Sequence, residues 1–178
     1  MMTLTRHAPR LAWLSLLLWL SACAQHLPLP LPAQTPRLAL PMQLLIQRRS
    51  QDETRDWLLV IQQEGAALRW SLLNPLGVPL ARQLLLDGRW QADGLLPPNA
   101  EARELFAALL FALSPADQLD ELYADTAWTQ QQGGRSLTDN ASSAWQVRYL
   151  ENGRFELDVG PTLTYGVAPI ATAGARHR

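Results

Sequence analysis

The chain has 178 residues with 15 basic and 16 acidic side chains, and 48% of its residues are hydrophobic. It carries no basic run or stripe, which argues against a nucleic-acid partner. Its single cysteine excludes a disulfide framework within the chain and cannot by itself form a zinc site.

The first segment has basic residues (Arg6, Arg10), an apolar run from Leu11 to Leu20, and then small residues leading to Cys23. This is the layout of a secretory signal peptide over residues 1–22. Its apolar run is about ten residues, whereas a spanning helix needs roughly twenty. Leu20-Ser21-Ala22-Cys23 resembles the lipobox of bacterial lipoproteins. That resemblance implies cleavage before Cys23 and acylation of its sulfur and new amino group. The alternative is an unmodified thiol beside a chance cleavage site. Two acyl chains suffice for stable membrane attachment. Ala24 follows the cysteine, which in proteobacterial lipoproteins resembles the outer-membrane class. The expected location is therefore the outer membrane, lipid-anchored and facing the periplasm. The remaining chain holds thirteen arginines, no lysine and sixteen acidic residues, enough length for one domain.

Residues 23–41 contain Pro28, Pro30, Pro32, Pro36 and Pro41. They read as a semi-rigid tether or, alternatively, as an edge segment lying on the fold. Strand signals begin at Met42. Met42, Leu44 and Ile46 alternate with Gln43 and Gln47, and Trp57, Leu59 and Ile61 follow with the same period. After Glu64-Gly65, Leu68, Trp70 and Leu72 face one way while Arg69 and Ser71 face the other. Asn74-Pro75-Leu76-Gly77 is a turn, and Asp87-Gly88 signals a hairpin leading to Trp90. Arg82 falls in register with Leu80, Leu84 and Leu86, which would point its guanidinium into the apolar face. A bulge or a snorkelling side chain is the alternative.

The period then changes. Asn99 is a candidate N-cap for a helix over 100–113, with Leu105, Phe106, Leu109, Leu110 and Leu113 as a wide apolar stripe. Ser114, Pro115 and Asp117 read as the cap, first position and capping-box residue of a second helix. Strands resume around Trp128. Trp145, Val147 and Tyr149 alternate, Asn152-Gly153 turns the chain, and Phe155, Leu157 and Val159 alternate again. Leu163, Tyr165 and Val167 form a last strand, and residues 171–178 read as a tail. The expected class is α+β, a domain over 42–170 with a curved antiparallel sheet and a helical insert as its lid.

Residues for catalysis are scarce. His7, His26 and His177 all fall outside 42–170, which removes a Ser-His-Asp triad from the domain. Asp117, Asp120, Glu121 and Asp125 read as a solvated helix face, with a carboxylate-dependent hydrolase as the alternative. No cofactor or metal is expected, and the chain is not read as an enzyme.

Leu73-Asn74-Pro75-Leu76-Gly77, Gly88-Arg89-Trp90-Gln91-Ala92 and Trp145-Gln146-Val147-Arg148-Tyr149 resemble the LolB family of outer-membrane lipoprotein receptors. The likeness covers most of 42–165. Leu109 to Leu122, with Ser114-Pro115, looks closer to an uncharacterised family of bacterial lipoproteins with a domain of unknown function. The resemblance implies an incomplete barrel with an apolar cavity, and a protruding Leu76 that helps place cargo in the membrane. From the residues alone, a leucine folded back onto the core is the favoured reading. The chain departs from that family in lacking an amphipathic helix before its first strand and in having shorter C-terminal strands.

The leading expectation is a lipoprotein that holds an acyl chain, lipoprotein cargo or another apolar ligand and exchanges it with the membrane, with a periplasmic carrier protein as a possible partner. The expected cavity residues are Ile46, Trp57, Leu59, Leu68, Trp70, Leu72, Arg82, Trp90, Trp145, Val147 and Phe155. The alternative is an assembly lipoprotein that docks a protein without binding lipid.

Overall fold

The computed structural model describes residues 28–31, 36–139 and 142–170. The expected signal peptide, Cys23 and the 171–178 tail lie outside the described residues. Ten strands form one antiparallel sheet: β1 (Met42–Arg49), β2 (Thr54–Glu64), β3 (Ala67–Leu73), β4 (Pro79–Leu86), β5 (Arg89–Ala92), β6 (Ala127–Gln131), β7 (Gly134–Asp139), β8 (Ser142–Tyr149), β9 (Phe155–Val159) and β10 (Thr164–Pro169). Their order is β5-β4-β3-β2-β1-β10-β9-β8-β7-β6. The sheet is open, with β5 and β6 at its edges. Hairpins join all neighbours except β1 and β10, which bring the two ends of the domain together.

Turn chemistry sets the hairpins. Asp87 and Gly88 both have positive φ, and Leu86 pairs directly with Arg89, so the link is a two-residue turn of the type that suits strand twist. Gly134 has a different role, because a Cβ there would meet the Val147 carbonyl oxygen at 2.5 Å. Only a residue without a side chain permits that approach.

The fold class expected from the sequence is corrected here. The protein is mainly β, not α+β with a helical lid. Among the described residues the α-helices are α1 (Ala100–Leu113) and the single turn α2 (Leu119–Leu122). Asn99 caps α1 as expected, accepting from the Ala102 amide at 3.0 Å. Ser114 closes α1 instead of opening a second helix. Its amide and hydroxyl both donate to the Leu110 carbonyl, and the chain passes into a 3₁₀ turn at Ala116–Gln118.

Helix α1 is interior filling. Residues 105–113 carry no polar side chain, and a helix apolar on every side must be covered on every side. Phe106 packs on Trp70 of β3 and Trp90 of β5, with ring centroids 5.5 and 5.8 Å away. Phe111 meets Trp145 of β8 at 6.3 Å. Strands from both halves of the sheet therefore wrap the helix, and the concave face is a core of sheet and helix side chains together.

The described parts of the proline-rich segment lie on the domain. Pro30 and Pro36 are buried, and Leu29 packs against the core. The Leu31 amide donates to the Leu122 carbonyl at 2.9 Å, and Arg37 pairs with Asp117 at 2.5 Å. For these residues the edge-segment alternative describes the arrangement.

Candidate functional site

The most distinctive surface feature is the tip of the β3–β4 hairpin. The Asn74 side-chain oxygen accepts from the Leu76 amide at 3.0 Å and the Val78 amide at 2.9 Å. The Asn74 amide donates to the Val78 carbonyl, and the Gly77 amide donates to the Asn74 carbonyl. Gly77 adopts φ 79°, a conformation glycine reaches without steric cost. These bonds occupy every amide N–H from Asn74 to Val78 and leave the loop's apolar side chains outside. Leu76 is 88% exposed and Val78 53%. The leucine does not fold back onto the core.

Beside this tip is an open cleft of about 500 Å³, lined by Arg55, Asp56, Trp57, Leu72, Asn74, Pro75, Leu80, Asn99, Glu101 and Ala102. Trp57, Leu72, Leu80 and Ala102 supply its apolar wall. Arg55, Asp56 and Glu101 supply charge. Glu101 is held in place from behind. Arg48 Nε donates to its Oε1 at 2.6 Å and the Tyr165 hydroxyl donates to the same oxygen at 2.9 Å. The bond to Glu101 holds the Arg48 pKa above its ordinary value. Burial, with the nearby Glu101 charge, pushes the Tyr165 phenol far up, so it remains a donor. Glu104 is also raised, first by burial and then by Glu101.

The residues expected to line a cavity divide into three groups. Ile46, Leu59, Leu68, Trp70, Leu72, Trp145, Val147 and Phe155 are buried in the core that α1 fills. Of these, Leu72 also reaches the cleft, and half-buried Trp57 lines it. Trp90 is half-buried at the β5 edge, edge-on to Trp70 at 5.6 Å. The indole nitrogens of both tryptophans and the Gln83 side-chain oxygen have no hydrogen-bond partner.

Arg82 is not interior: it shares a face with Leu84 and Leu86 as expected, but that face is the outer one. The pairing of β3 with β4 shifts between Leu72 and Leu73, so that Leu72 faces Ala81 and Leu73 faces Pro79. Leu80 is the extra residue. This bulge turns Ala81, Gln83 and Leu85 inward. Arg82 faces outward and pairs with Asp93 at 3.3 Å, which also pairs with Arg69 at 2.8 Å.

Sequence reasoning missed Arg135. From β7 its Nη1 donates to the carbonyls of Phe111 at 3.2 Å and Ser114 at 2.9 Å, at the C-terminal end of α1. Its guanidinium also lies 5.1 Å from the Tyr149 ring centroid and 5.8 Å from that of Phe111. Carbonyl dipoles and ring faces meet the charge, while burial lowers its pKa. No sequence motif marks this position.

Asp120, Glu121 and Asp125 are exposed, and Asp117 is taken up by Arg37. Among the described residues, no group of three His, Cys, Asp or Glu side chains is placed to hold a metal ion. No helix there is long and apolar enough to cross a membrane.

A family model, described as a protein of unknown function (DUF3261), matches residues 41–163. The chain belongs to this family. The match runs from the residue before β1 to the loop before β10, so the hairpin tip, the cleft and α1 all fall within the DUF3261 region. No curated protein matches the chain.

Proposed function

We propose that this DUF3261 protein is an outer-membrane-anchored lipoprotein that touches the bilayer through its 74–78 loop and exchanges an acyl chain or another long apolar ligand with it. The observation that carries this reading is Leu76, 88% exposed on a loop whose amides all donate within it. A loop so closed can place a leucine among lipid headgroups without desolvating unpaired amides. The adjoining cleft, at about 500 Å³, is within the range of roughly 300–1,000 Å³ typical of ligand sites. The LolB resemblance supports the same role for Leu76.

A second reading, docking of an envelope protein without lipid, is favoured by a different observation. Helix α1 occupies the concave face where a hydrocarbon would otherwise lie, and among the described residues β6 has no strand partner on its outer side. Native mass spectrometry of the purified protein separates the two. A copurifying or titratable acyl ligand supports exchange, and an empty protein indifferent to added fatty acid supports docking.

A further inference from the structure

Leu95 is the most exposed large apolar residue among those described, at 104% of its reference area. It lies in Gly94-Leu95-Leu96-Pro97-Pro98, between β5 and α1. This segment leaves the sheet at Asp93, whose amide donates to the Arg82 carbonyl, and ends at Asn99 in the cleft wall beside Asn74 and Pro75. The 74–78 loop bounds the same cleft. The two loops therefore converge on one end of the sheet.

Three features of that end fit a bilayer surface. First, the two loops themselves, residues 72–81 and 94–100, carry no charged side chain, and the charges of the cleft between them come from Arg55, Asp56 and Glu101. Second, prolines stiffen both loops, so little order is lost when they are immobilised. Third, the chain before β1 runs toward this end. Arg37 contacts Asp117 and Gln118, whereas Leu31 contacts Leu122, closer to the start of β6. Ala127 opens β6 opposite Thr138, away from the turn at Gln132-Gly133 and on the side where β3 ends. Four residues lie between Cys23 and Pro28, so five chain steps reach at most about 18 Å.

We infer that Leu95 is a second point of insertion into a phospholipid surface, and that with Leu76 it fixes how the domain sits on the membrane. Single leucines on separate loop tips suit a fluid interface, which needs no matching shape. This rests on the membrane role of Leu76 proposed above.

The test uses the mature protein, beginning at acylated Cys23, in phosphatidylethanolamine–phosphatidylglycerol vesicles carrying a headgroup nitroxide. A fluorophore is attached at Leu76→Cys, Leu95→Cys or Gln132→Cys, the last at the opposite end of the sheet. The expected result is quenching at 76 and 95 several-fold stronger than at 132. Quenching at 76 with none at 95 overturns this inference and leaves the Leu76 reading standing. No quenching at either overturns both, and equal quenching at all three overturns the orientation.

Discussion

Arg135 donates to the main-chain oxygen of Ser114 at 2.9 Å, so a cation on a strand closes the end of a helix buried inside the sheet. Four carbonyls at a helix C-terminus lack intrahelical partners, and inside a core water cannot supply them. Replacing Arg135 with methionine should leave two of them without their donor and cost about 2 kcal/mol, since an orphaned buried acceptor costs roughly 1–3 kcal/mol. Denaturant unfolding would measure this. Arg135→Lys should recover only part of the loss, because one ammonium lacks the planar fork. Stability equal to the parent for both variants would show that the contact contributes nothing.

Alkaline pH should weaken the fold. Burial pushes Tyr149 up to about 12 and raises Tyr123 and Tyr165 still further. These phenols have folded values above their unfolded value near 10, so their contribution is complete below pH 10 and is lost as pH rises beyond it. The urea midpoint should hold steady from pH 7 to pH 9 and fall from pH 10 to pH 12. A flat midpoint through pH 12 would contradict the burial of these hydroxyls.

The hairpin tip separates folding from membrane contact. Leu76→Glu should change stability by no more than about 0.5 kcal/mol, as for other exposed positions. Transfer of ligand to vesicles should fall roughly tenfold or more, the effect of losing a leucine worth about 1.5–3 kcal/mol of apolar burial. Unchanged transfer would remove the loop from the mechanism.

Asn74→Ala deletes the acceptor for two amides, a stability loss of about 1 kcal/mol by the usual value of such bonds. It should also reduce transfer while leaving Leu76 in the sequence. Calorimetry and the vesicle assay together would check it. A stability loss with normal transfer would mean that loop closure is not needed for function.

Core filling distinguishes packing from a ligand wall. Phe106 touches Trp70 and Trp90. Phe106→Ala should cost about 3–5 kcal/mol, as aromatic truncation in a packed core does. A loss under about 1 kcal/mol would indicate space that α1 does not fill.

Local chemistry was legible in the amino-acid order. Asp87-Gly88, the Asn99 cap and the alternation through β1 to β3, β8 and β9 each depend on neighbours a few residues apart, and the structure contains them as expected. Strand β7 was missed, since Leu137 is its only large apolar residue. The class was misjudged because an apolar helical stripe looks the same whether it covers a sheet or is enclosed by one. Arg82 does share a face with Leu84 and Leu86, but the bulge at Leu80 makes that face the outer one, which residue types alone do not reveal.

Periodicity, turns and caps are written in residues close along the chain, and they specify which segments become strands or helix. Where those segments meet depends on contacts between residues far apart. The packing of α1 against the sheet, the placing of Arg135 at its end and the convergence of Leu76 and Leu95 on one rim follow from an open sheet curving around α1. No local pattern encodes that curvature, because it is the minimum of many weak burial terms acting together.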